Sequence, residues 1–203
     1  MSRYRGPRLR ITRRLGELTG LTVKTSKKQN PPGQHGGSGI RKSSQYNLQL
    51  REKQKLRYNY GITERQLVNY IKKSRKGKGS SGKILLTFLE MRLDTIIFRL
   101  GFASTIRVAR QLIGHKHICV NGSLVNIPSF LCRPGDIITV KSTKKSKNLI
   151  DQNIEARQSL NVPEHLTLNR TLLEGKVNSL VNRASMDLLL NELLIIEYYS
   201  RKV

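Results

Sequence analysis

The sequence predicts an α+β protein: a basic N-terminal arm, a helical region, then two helices followed by a small antiparallel β-sheet. Three observations carry this. Apolar residues recur at helical spacing through the middle of the chain. Near residue 117 the period switches to alternation around an Asn-Gly turn. The first 46 residues have little periodic apolar content and many breakers.

Charge sets the class of partner. The 203-residue chain carries 38 Lys+Arg against 13 Asp+Glu, a net +25, which in a lone globule would repel itself. Membranes and nucleic acids are the large polyanions. No run approaches the roughly 20 apolar residues that span a bilayer, and no basic segment has the Trp or Phe face of an interfacial helix. Nucleic acid is the expected partner. Residues 1–83 hold 22 Lys+Arg and 3 acids, a net +19, and residues 84–203 hold 16 and 10, a net +6. The first part is therefore the main electrostatic grip.

Residues 1–46 read as an extended arm, broken by Gly6-Pro7, Pro31-Pro32-Gly33 and Gly36-Gly37-Ser38-Gly39, that becomes ordered along a phosphate backbone. From Asn47 to Tyr58, Arg51, Lys53, Lys55 and Arg57 surround Leu48 and Leu56, giving a helix with a basic, RNA-binding surface. Thr63 and Gln66 fit a capping box for a second helix with Leu67, Val68 and Ile71 inward. Tyr58, Tyr60 and Tyr70 can stack bases, but tyrosines at helical spacing more often complete a core. Gly77 to Lys83 imitates a phosphate-binding loop, yet Ile84 stands where the Mg²⁺-binding hydroxyl belongs, so it reads as an RNA-touching loop.

From Ile84 the apolar residues through Leu100 predict one long helix or two abutting ones, with Gly101 as the stop. Ser104 or Thr105 caps the next helix, with Ile106, Ala109, Leu112 and Ile113 inward. His117 to Val120 alternate, Asn121-Gly122 signals a type I′ hairpin, Leu124 to Ile127 return, and Pro134-Gly135-Asp136 feeds a last strand, Ile137 to Lys141. Residues 142–185 read as a polar linker with additional strands. The apolar tail from Met186 to Tyr199 must pack on something.

The two helices place Arg92, Arg99, Arg107 and Arg110 beside the apolar face, with His115, Lys116 and His117 in the adjoining turn. Guanidinium forks on a rigid surface suit RNA phosphates. A merely solvated helix face is the competing reading, and the chain-wide charge weighs against it. Arg92 ranks below Arg107 and Arg110 because Glu90 and Asp94 can claim it. His115, His117, Cys119 and Cys132 fit no common zinc spacing. No Ser, Cys, His or acid pair sits in an activated context, so no catalytic residue, metal or cofactor is expected and the chain is read as no enzyme. Two cysteines and no secretory h-region point to a reducing compartment.

Arg92-Leu93-Asp94, Arg99-Leu100-Gly101-Phe102, Ala109-Arg110-Gln111-Leu112, His115, Val120-Asn121-Gly122 and Pro134-Gly135-Asp136 closely resemble the RNA-binding domain named after small-subunit ribosomal protein four. That domain also occurs in pseudouridine synthases, a tyrosyl-tRNA synthetase and a heat-shock ribosome-binding protein. The segments Ser2-Arg3-Tyr4-Arg5-Gly6-Pro7-Arg8, Pro32-Gly33-Gln34-His35-Gly36, Gln49 to Lys55, Tyr60-Gly61 and Asn191 to Ser200 resemble the ribosomal family itself, plastid members most.

The resemblance implies a helical domain of residues 47–90 completed by 186–203, with an RNA-binding domain of residues 91–141 inserted into it. It implies early binding to an rRNA junction during assembly, neighbouring ribosomal proteins as partners, and an influence on decoding accuracy near the mRNA entry path. It assigns Arg107, Arg110, His115, Lys116 and Asn121 to the RNA-facing motif and Arg3, Arg5 and Arg8 to the arm. Some relatives bind zinc through N-terminal cysteines; here none precedes Cys119. The segment between Leu21 and Pro32 is shorter than in many bacterial members. With no transit peptide read at the start, a plastid-encoded protein of the stromal ribosome is expected, a bacterial or mitochondrial one being the alternative. An RNA-modifying enzyme or a ribosome-rescue factor would be the competing functions, but the residues after 141 are few for a catalytic domain.

Overall fold

Side chains start three of the helices in the computed structural model, which describes residues 4–28, 30–34, 36, 44–156, 162–182 and 190–200. Ser44 accepts from Asn47 N ahead of the helix Gln45–Asn59, Thr63 from Gln66 N ahead of Glu64–Arg75, and Thr105 from Val108 N ahead of Ile106–Gly114. Each oxygen satisfies an amide that the first turn leaves without a carbonyl. In chain order the described elements are α1 (Arg8–Leu15), α2 (Gln45–Asn59), α3 (Glu64–Arg75), α4 (Ser81–Glu90), α5 (Leu93–Arg99), α6 (Ile106–Gly114), β1 (Ile118–Val120), β2 (Ser123–Leu124), β3 (Ile137–Val140), α7 (Lys144–Glu155), β4 (Leu166–Asn169), β5 (Glu174–Val177) and α8 (Glu192–Ser200). The chain forms two units, one of residues 1–85 and 188–203 and one of residues 86–187.

In the first unit α8 packs on α2, and Leu56, Leu67, Ile71, Leu85 and Ile195 are buried. The segment expected as an extended arm contains α1, whose Ile11 and Leu15 close a small cluster with Leu18, Leu21 and Tyr58. Their spacing puts them on one helical stripe, which is enough to hold a short basic helix against a neighbour. Gly82 lies within α4, and a Cβ there would meet the Glu192 side chain at 2.7 Å, so the glycine permits close approach of α8.

In the second unit the apolar run after Ile84 is two helices. Between them Leu93 N donates to Phe130 O, Asp94 N to Pro128 O, and Cys132 N to Met91 O, so the loop before Cys132 takes the amides and carbonyl that a continuous helix would use. Gly101 ends α5 at φ +82, with Gly101 N on Phe98 O and Phe102 N on Ile97 O, the paired bonds of a Schellman stop. Asn121 and Gly122 have φ +50 and +79 and join β1 to β2, as a type I′ turn requires. The return strand is shorter than Leu124 to Ile127.

The sheet is antiparallel throughout and has five strands, in the order β2-β1-β3-β5-β4. Residues 142–185, expected as linker and strands, thus supply β4 and β5 and also α7, which the sequence reading did not foresee. Helix α7 buries only Ser146 and Ile150, and Ile150 joins Leu93, Ile96, Leu112, Ile118 and Ile138 in the core. So sparse an apolar stripe gives little periodic signal.

Candidate nucleic-acid interface

Helix α6 turns Ile106, Ala109, Leu112 and Ile113 inward, which leaves Arg107, Arg110, Gln111 and Gly114 along the opposite, i, i+3, i+4, i+7 stripe. The helix ends in a second Schellman stop, Lys116 N on Ile113 O and His117 N on Leu112 O, with Lys116 itself at φ +60. A lysine in the left-handed region is strained where glycine would not be. His115 and Lys116 are exposed, so the turn presents a cation and an imidazole on a rigid base. His117 is held by a 2.8 Å hydrogen bond between its Nδ1 and Ser146 Oγ.

Asn121 is exposed, but its amide is occupied: Nδ2 donates to Asp136 Oδ1 at 2.9 Å and Oδ1 accepts from Ile137 N at 2.9 Å. Asp136 also accepts from Arg133 N at 2.7 Å. Asn121 therefore fixes two turns to each other.

The four arginines expected on this surface part company. Arg92 lies in the interior at 0% exposure and grips the equally buried Asp94 through Nε at 2.9 Å and Nη2 at 2.8 Å. Its expected contact with RNA is thereby corrected: the side chain is fully buried and a carboxylate two residues on takes its Nε and Nη2, since neither charge tolerates burial alone. Arg99 does the same with buried Glu90, at 3.1 and 2.8 Å. Arg110, half-buried, donates Nε to Asp94 at 2.7 Å, which ties its guanidinium to the core at the unit's edge. Arg107 is half-buried on the outward stripe.

In the first unit the basic helix is also divided. Arg51 is exposed and donates to Arg14 O. Lys53 is buried, donates to Glu64 at 3.0 Å and lies over the Tyr198 ring at 5.1 Å; Lys55 donates to Glu52 at 2.6 Å, and Glu52 accepts from Asn191 N. The expected RNA contact of Lys53 is corrected accordingly, because Tyr198 of α8 lies over its buried ammonium, whereas Lys55 stays partly exposed. Burial raises the Glu64 pKa, but hydrogen bonds from Tyr199 and Lys53 and the charges of Lys53 and Arg57 outweigh it and hold the carboxyl below its ordinary value. Arg5 is exposed, Arg8 reaches Leu21 O at 3.5 Å, and Arg3 lies outside the described residues.

Sequence reasoning missed Arg10, Arg13 and Arg14 of α1. Arg10 and Arg14 are exposed, and Arg13 donates to Asn30 O and Pro31 O. The available signal was Ile11, Leu15 and Leu18 at helical spacing. Cys132 is buried, which together with Asp136 and Asp94 pushes its thiol up to about 12, so the thiol stays protonated near neutral pH and is a poor nucleophile.

The model of the ribosomal protein S4/S9 N-terminal domain matches residues 3–90, and that of the S4 domain matches residues 91–138. Over 205 residues the chain is 61% identical to small ribosomal subunit protein uS4c of Euglena gracilis, covering 100% of both. It is 57% identical over 202 residues to small ribosomal subunit protein uS4 of a Synechocystis species and 56% over 203 residues to that of Thermosynechococcus vestitus, again over 100% of each chain.

Proposed function

Because the chain belongs to the small ribosomal subunit protein uS4 family, we propose that it is a structural constituent of the small ribosomal subunit that binds the subunit's rRNA directly. Likeness over the entire length carries this reading, since an RNA-modifying enzyme sharing only the RNA-binding domain would match over part of the chain. Its partners are rRNA and neighbouring ribosomal proteins. The outward stripe of α6 and the turn at His115 and Lys116 are its contact in the second unit, and Arg5, Arg8 and Arg51 are contacts in the first. A place in early assembly, an influence on decoding accuracy and proximity to entering mRNA follow from the family resemblance. We assign it to the plastid ribosome, supported by the relative named uS4c at 61% identity against 56 to 57% for the two cyanobacterial relatives.

The test is Arg107→Ala in the full chain, with affinity for small-subunit rRNA measured across a salt series. Arg107 is preferred to Arg110 because losing Arg110 also disturbs Asp94. If Arg107 meets a phosphate, the log-log salt slope falls by about 0.7 to 0.9 and affinity drops for any sequence variant of the RNA. Unchanged affinity and slope would remove this face from the interface.

A further inference from the structure

The first unit contains an open cavity of about 400 Å³ that none of the contacts above uses. Its walls come from α1, α2 and the segment around Pro32 and Gly33, and they include Tyr4, Arg10, Arg14, Gln54 and Tyr58 over the apolar floor of Ile11 and Leu15. The volume lies in the range of small-ligand sites, roughly 300 to 1,000 Å³. The site is braced: Arg13 Nε and Nη2 donate to the carbonyls of Asn30 and Pro31 at 2.9 and 3.3 Å, and Arg51 donates to Arg14 O at 3.2 Å. Tyr4 meets Tyr58 edge-on with centroids 5.3 Å apart, and the Arg57 guanidinium lies 5.5 Å from the Tyr58 ring centre.

Among the described residues no carboxylate lines the cavity, while two arginines do. The ligand is therefore anionic. Two aromatic rings and an apolar floor call for a flat ring as well, and the Gln54 amide can both donate to and accept from a polar edge. Anion, flat ring and polar edge together describe a nucleotide, and the surrounding charge, 22 Lys+Arg to 3 acids over residues 1–83, favours one attached to a polymer. We propose that this cavity takes one unpaired nucleotide of the rRNA, its base against the Tyr4 and Tyr58 pair and its phosphate between Arg10 and Arg14. The proposal rests on the rRNA-binding reading and adds a single-nucleotide site to it.

The experiment uses the full chain with small-subunit rRNA. Gln54→Trp fills the cavity and removes no charge of the protein, so affinity should fall about tenfold, the scale of one lost base stack. In the unaltered protein, ultraviolet cross-linking followed by peptide mass spectrometry should place a nucleotide adduct on Tyr4 or Tyr58, a readout independent of how the variant folds. Unaltered protein that binds rRNA without such an adduct, and a folded Gln54→Trp protein of equal affinity, would overturn the site while leaving rRNA binding intact. An equal adduct from a mixture of free nucleoside monophosphates without rRNA would overturn it in favour of a free-nucleotide site. Failure of the unaltered protein to bind rRNA would overturn the functional reading and the proposal with it.

Discussion

In the unit of residues 86–187, Arg92 and Arg99 lie inside, each in a two-point grip with a buried acid; in the unit of residues 1–85 and 188–203, Arg10, Arg14 and Arg51 stay exposed. The second unit has a broad apolar core able to enclose an ion pair. The first also buries Leu56, Leu67, Ile71 and Ile195, but its Lys53–Glu64 pair leaves the acid 42% exposed, and Arg10, Arg14 and Arg51 lie outside that core. The difference teaches that an arginine's task is set less by its own chemistry than by whether a carboxylate stands within reach of it in a closed core. Buried pairs of this kind fix geometry more than they add stability, because desolvation offsets most of the attraction. Here the Asp94 pairs hold the α4–α5 break and the root of Arg110 in one arrangement.

The largest effect that would break this comparison is expected at Asp94. Asp94→Ala removes the buried acid that both Arg92 and Arg110 grip and should cost about 3 to 5 kcal/mol, read by denaturant unfolding. The matching change in the other unit, Glu64→Ala, removes an acid whose side chain is 42% exposed but takes a partner from buried Lys53 and Tyr199, and should cost less, about 1 to 3 kcal/mol. Equal losses would contradict the division of roles. Next come the caps, which are local and should not distinguish the units: Thr63→Ala and Thr105→Ala should each lose about 1 kcal/mol, measured in the same way.

The smallest effect is in pH. His165 is buried, and among the described residues neither ring nitrogen has a hydrogen-bond partner. Burial, together with Arg99 and against Glu90, lowers its pKa from 6.5. The unfolded chain then takes up the proton first, so this contribution is full above pH 6.5 and is lost as pH falls through the lower folded value. Glu64 is likewise depressed, from 4.5, so its contribution is full above that pH and is lost below it. Hydrogen exchange followed during acidification should show the second unit loosening before the first; the reverse order would contradict the assignment of these two groups.

Much of this was legible because it rests on local chemistry. Thr63, Thr105, Gly101 and Asn121-Gly122 mark ends and turns whose backbone geometry admits few other residues. Helix α7 was not legible, since its packing needs only Ser146 and Ile150, and their partners come from elsewhere in the unit. At the interface, Arg107, His115 and Lys116 fall where the helical stripe puts them. Lys53 does not, because α8, distant in sequence, supplies the cover. Arg92 could have been separated from Arg107 by its neighbour Asp94, but the depth of the pair is a property of the assembled core.

An integral place in the small subunit is tested most directly by the stoichiometry of this protein in purified small subunits after a high-salt wash, by quantitative mass spectrometry. One copy retained per subunit is the predicted result; near-complete loss, with the subunits otherwise intact, would contradict it.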